Sequence, residues 1–89
     1  MKPAEKILAA RLLRAASQEF ANHGCNDFDL VADGAMLAKE ARDFRKRFHD
    51  WNGDPESFAE DPPGKTDLPD FAAMDFLAHL LEEEALGDE

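Results

Sequence analysis

The sequence predicts an all-α chain, a small three-helix domain able to pair into a dimeric helical bundle. Three observations carry this. Apolar residues recur at helical spacing in three stretches, turn-forming residues separate those stretches at Gly24 and at Asn52-Gly53-Asp54-Pro55, and no stretch alternates as a strand does.

The first helix is expected over about residues 3–23. Pro3 suits a first turn, where a missing N–H costs nothing, and Glu5 complements the positive helix end. Leu8, Leu12, Ala16 and Phe20, with Ala9 and Leu13 beside them, make an apolar stripe, and Arg11, Arg14 and Gln18 fall opposite. Gly24 is placed to end the helix with a positive φ.

The second helix is expected over about residues 33–52. Leu37, Ala41, Phe44, Phe48 and Trp51 step by four, three, four and three, a heptad-like seam. Asp29 and Asp33 are both candidates for its N-cap. Residues 52–68 then read as a long Pro- and Gly-containing loop in which Phe58 stands alone, placed to pin it to the core.

The third helix is expected over about residues 69–86, with Ala73, Met74, Leu77, Leu80 and Leu81 as its stripe, widened by Phe71 and Phe76. Glu82-Glu83-Glu84 opposes the helix dipole, so this end frays unless basic residues cover it.

A chain of 89 residues is one domain at most, near the lower size limit for a self-sufficient core. Much of its 44% hydrophobic content is alanine, which buries little area. Association with a second copy or another protein would add burial. The aromatic seam Phe44, Phe48 and Trp51, with Leu77, Leu80 and Leu81, is the candidate interface.

Cys25 is the single cysteine, so no intramolecular disulfide forms, which suits a reducing bacterial cytoplasm. No apolar run is long enough for a signal peptide core or for a membrane span of about 20 residues.

The net charge is −10 and unevenly spread: residues 1–24 carry four basic and two acidic side chains, and residues 52–89 one basic and twelve acidic. Such a chain is repelled by phosphate backbones, so direct nucleic acid binding is not expected.

The densest polar cluster is His23, Gly24, Cys25, Asn26 and Asp27. A Cys25 nucleophile with His23 as base is conceivable, but such close neighbours rarely reach productive geometry. A structural turn is the simpler reading: Gly24 ends the helix, Cys25 is buried behind it, and Asn26 and Asp27 bond to local backbone. His23, Cys25, His49 and His79 number as many as tetrahedral zinc requires but lack paired spacing. No metal or cofactor is expected, and His49 and His79 are expected at helix surfaces. Arg42, Arg45, Lys46 and Arg47 form an electrostatic patch read as a solvated face opposite Phe44 and Phe48, able to meet an acidic partner.

Three segments carry a resemblance. Ser17-Gln18-Glu19-Phe20-Ala21-Asn22-His23-Gly24-Cys25-Asn26-Asp27-Phe28-Asp29-Leu30, Trp51-Asn52-Gly53-Asp54-Pro55-Glu56 and Met74-Asp75-Phe76-Leu77-Ala78-His79-Leu80-Leu81 resemble small proteins of tailed bacteriophages and prophages. The stretch from Leu30 to Leu37 fits that pattern least well. The resemblance implies a bacterial host cell and an accessory protein that binds a host or phage protein, but no catalytic activity.

The function expected is therefore a non-enzymatic protein-interaction module, homodimeric, in a phage or prophage accessory role that includes anti-defence. One alternative is an acidic nucleic-acid mimic that inhibits a nucleic-acid-binding protein. The alternative from another class is a small cysteine- or zinc-dependent enzyme.

Overall fold

The computed structural model of the protein describes residues 1–24, 26–32, 34, 36–62 and 64–87. The burial expected of Cys25 and the cap considered at Asp33 lie outside the described residues. In chain order the elements are α1 (Pro3–His23), β1 (Asp27–Asp29), α2 (Ala38–Trp51), α3 (Pro55–Glu60), β2 (Asp67–Pro69) and α4 (Asp70–Gly87). They form two compact units, one made of residues 1–26 with 70–89, the other of residues 27–69.

In the first unit, α1 begins as its sequence requires. Pro3 opens it, and the Lys2 N–H donates to Glu5 Oε1 at 2.9 Å. It ends at Gly24, with φ 99° and ψ 115°. A Cβ at Gly24 would meet no atom within 4 Å, so glycine is required there by the backbone and not by space.

The helices α1 and α4 pack antiparallel. Lys6 Nζ meets Glu84 Oε1 at 2.9 Å, Arg14 Nε donates to Glu82 Oε1 at 2.8 Å, and Ser17 Oγ donates to the Phe71 carbonyl at 2.9 Å. These cations cover the glutamates that would otherwise oppose the α4 dipole. Asp70 opens α4: its Oδ1 accepts the Phe71 N–H at 2.8 Å, and its own N–H donates to the Asn26 carbonyl at 2.9 Å.

The buried face of α1 differs from the expected stripe. Lys6, Ala10 and Ser17 are buried, whereas Leu8 and Leu12 are 58% and 62% exposed and Phe20 is also exposed. The reason is that α1 meets α4 with the side opposite its leucine stripe. The side turned to α4 holds small residues and the cations that answer Glu82 and Glu84. Ala73, Phe76, Ala78 and Ala85 are buried on α4, three small side chains and one large one.

The second unit contains what the sequence reading left out. β1 and β2 pair antiparallel, with Asp27 opposite Pro69, Phe28 opposite Leu68 and Asp29 opposite Asp67. The expected absence of sheet is thus corrected. Each strand has three residues, too few for alternation to register. Asp27 lies in this ladder, not in a local turn, and Asn26 bonds across to Asp70.

The segment expected to be loop at 52–68 holds α3 and most of β2. Pro55 starts α3, and the Ser57 N–H donates to the Asp54 carbonyl at 3.0 Å. The second helix starts at Ala38, later than expected. Asp29, a candidate cap for it, is committed elsewhere: its Oδ1 accepts from the Val31 and Ala32 N–H groups at 3.0 and 2.9 Å and from Thr66 Oγ1 at 3.0 Å. The Met36 N–H then donates back to the Leu30 carbonyl at 2.9 Å, and only after this turn does α2 begin. The buried apolar residues of the unit are Leu30, Ala41, Phe44, Phe48 and Leu68.

Ala10 is fully buried between the levels of the Lys6 and Ser17 contacts, so a larger side chain there must separate α1 from α4. Ala10→Leu is expected to destabilise by about 1–3 kcal/mol, read as a lower urea midpoint of the helical circular dichroism signal. An unchanged midpoint would mean the contact is loose.

Candidate functional site

Two features stand out, one in each unit. The first is a buried polar cluster on α2. Ala41, Phe44, Arg45, Phe48 and His49 share the buried side of that helix at i, i+3, i+4, i+7 and i+8, so two of its five members are polar. The basic patch expected to be solvated is therefore split. Arg45 is 2% exposed, while Arg42, Lys46 and Arg47 are exposed and Lys46 pairs with Asp50 at 3.2 Å.

Each of the three guanidinium nitrogens of Arg45 donates a hydrogen bond. Nε donates to the Asp67 carbonyl at 3.0 Å, Nη1 to the Lys65 carbonyl at 3.4 Å, and Nη2 to the Asp61 carboxylate. Its planar face lies 5.8 Å from the Phe58 ring centre. A single cation thus holds α3, the following turn and β2 against α2. A lysine lacks the fork of donors to do so.

His49 is also buried, which corrects its expected place at a helix surface. Its Nδ1 lies 3.1 Å from Asp54 Oδ1. Because a carboxylate only accepts, Nδ1 is the donor. Nε2 is buried, 3.9 Å from Asp61 Oδ2 and without a hydrogen-bond partner among the described residues.

An Asp–His pair of this kind acts as a base only where Nε2 reaches a substrate. Here Nε2 is closed off. The adjacent hollow, about 140 Å³, is lined by Arg42, Arg45, Phe58, Ala59, Asp61 and Pro62 and not by His49. Phe58 is half-buried, over Arg45 and 6.2 Å from the His49 ring, and so does anchor its segment. The cluster is a clasp.

Two carboxyls of this unit are held below their ordinary range. The hydrogen bond from Arg45 is the main cause at Asp61, outweighing the effect of burial, and the charges of Arg45, Lys65 and His49 add to it. At Asp29 the causes are the Ala32 N–H, then the Thr66 hydroxyl and the Val31 N–H.

The other histidines are dispersed. His23 is exposed and 3.2 Å from Glu19, and His79 is half-buried and 3.2 Å from Glu83. The described residues bring together no group of three metal-ligating side chains. No described helix is long and apolar enough to cross a membrane.

The second feature is the outer ridge of α1. Ala4, Leu8, Leu12 and Ala15 are exposed along one line of the helix, with Ala16 half-buried beside them. The interface expected from sequence is distributed differently. Phe44 and Phe48 lie in the interior, Trp51 and Leu77 are 40% and 39% exposed, and Leu80 and Leu81 are half-buried. Helical periodicity reports Leu8 and Leu12 as a stripe without saying whether that stripe is covered.

Arg45→Met is expected to lower stability by about 3 kcal/mol, because it leaves Asp61 and two carbonyls without their donor, and Arg45→Lys restores only part of this. Urea titrations followed by Trp51 fluorescence check both. Folding lowers the Asp61 and Asp29 carboxyl pKa values. Their stabilising contribution is therefore complete above the ordinary carboxylate value of about 4 and is lost as the pH falls through the lowered folded values. The urea midpoint is expected to drop on acidification below about pH 4, and Asp61→Asn to flatten that drop. An equally steep acid limb in Asp61→Asn would show that other carboxyls carry it.

No protein-family model, no curated protein and no solved structure matches this chain, so its functional reading rests on its own residues.

Proposed function

We propose that this protein is a non-enzymatic interaction module that docks a protein partner along the outer ridge of α1. The observation that carries this is the exposure of Leu8 and Leu12, each more than half open, on a helix whose opposite side is already packed on α4. Neighbouring open leucines on one ridge are the kind of patch that marks a binding surface. An accessory role in a phage or prophage, anti-defence included, accords with the resemblance of the His23–Asp27 region and its companion segments; the partner is then a host or phage protein.

The acidic-mimic alternative is weaker. Glu82 and Glu84 are paired with Arg14 and Lys6, and Asp61 with Arg45, so these carboxylates are committed within the chain. The cysteine- or zinc-dependent enzyme is weaker too, because His23 pairs with Glu19, His79 with Glu83 and His49 with Asp54, and the described residues gather no group of three metal-ligating side chains.

Affinity capture from a bacterial lysate tests the reading. The wild-type chain is expected to enrich a defined protein, and Leu8→Glu with Leu12→Glu to reduce that enrichment at least about tenfold with an unchanged helical spectrum, since each buried carboxylate would lack a partner. Capture unaffected by both substitutions would place the docking surface elsewhere.

A further inference from the structure

The ridge on α1 has a symmetry that identifies one occupant. About residue 10 the apolar positions read alike in both directions: Ala4, Leu8, Leu12 and Ala16 are equally spaced, with the unlike pair Glu5 and Ala15 just inside the two alanines. When two such ridges meet antiparallel, Leu8 of one chain lies against Leu12 of the other, Ala4 against Ala16, and Glu5 against Ala15. No like charges oppose each other along the line. A surface that complements itself in this way is what a two-fold interface requires, because the same patch must serve both subunits. Ridges of residues four apart interdigitate with a steep crossing, and the small residues flanking the two leucines let the helices close at that point. Arg11, exposed at the edge, keeps its charge in water.

Charge points the same way. Each chain carries −10, so two copies repel over most of their length. Residues 1–24, with four basic and two acidic side chains, are the exception. Contact through α1 places this least acidic segment between two acidic molecules.

From these observations we infer that the occupant of the ridge is a second copy of this chain, joined by an antiparallel α1–α1 contact crossing between Leu8 and Leu12. The inference rests on the docking reading above and adds that a second copy holds the same ridge when no host or phage protein does. One ridge of a 21-residue helix falls short of the roughly 1,200–2,000 Å² of a standard interface, so the dimer is weak, forming in the micromolar range. Added salt screens the mutual repulsion and tightens it.

Sedimentation equilibrium of the full chain across micromolar concentrations is the first test. The mass is expected to rise from 9.9 kDa toward twice that value, more readily at high salt, and Leu12→Glu to weaken association at least about tenfold. Disulfide trapping in a Cys25→Ser background reads the register independently of whether Leu12→Glu folds. Mixed Leu8→Cys and Leu12→Cys chains are expected to give mostly the heterotypic disulfide. Mostly homotypic disulfides, or association loosened by salt, would overturn the antiparallel α1 contact. A wild-type monomer at every concentration would overturn the dimer, while the docking reading stands or falls separately on whether the lysate capture depends on Leu8 and Leu12.

Discussion

The antiparallel pairing of α1 with α4 is the constraint on which the first unit depends. It joins residues far apart in the chain: Lys6 and Glu84 are 78 positions apart, and their contact closes everything between them into a loop. The unit buries Ala10, Ala73, Ala78 and Ala85 together with Phe76, and two ion pairs and a serine hydroxyl join the two helices. The pairing tolerates little added volume at Ala10, which is fully buried. It also explains why a lysine occupies a buried position. The stem of Lys6 fills space along the helix while its ammonium reaches Glu84, the arrangement open to a long cationic side chain at a helix interface. Where the pairing ends, the backbones of Asn26 and Asp70 are already bonded, and the two strands that follow and precede them in sequence are paired residue by residue.

Much of the helical layout was legible in the sequence. Pro3 and Gly24 marked both ends of α1, and Asn52-Gly53 marked the end of α2, where Gly53 takes a φ of 79°. What was not legible falls into two kinds. The strands and α3 are three, three and six residues long, shorter than the windows in which periodicity accumulates, and they are specified by tertiary bonds such as those of Arg45 and Thr66. The second kind concerns direction. Leu8 and Leu12 were recognised as a stripe and assigned inward, and Arg45 was recognised as a cation and assigned outward. Both assignments assumed that polarity decides burial. A buried guanidinium with three hydrogen-bonded partners and small residues at a close helix contact reverse that rule, and neither condition is visible until the chain is folded.

The two units also divide the electrostatics differently. In the second, cations and anions are interleaved on neighbouring elements, so Asp61, Asp54 and Lys65 gather around the Arg45 and His49 face of α2. In the first, positive charge lies on α1 and negative charge on α4, and the ion pairs run from helix to helix. The acidic composition of the last third is therefore partly structural. Some of its carboxylates hold the fold through ion pairs.

The division of the chain also has a consequence in time. Residues 27–69 are continuous, so every partner in the Arg45 clasp is present once that stretch has been synthesised. The first unit is discontinuous. During translation α1 emerges first and must wait for the whole of the second unit before α4 appears, with Leu8, Leu12 and its future packing face uncovered together. A nascent chain in that state exposes both the leucine ridge and the side of α1 that α4 will cover, and it is then that α1 is most open to chaperones or to pairing with the wrong helix.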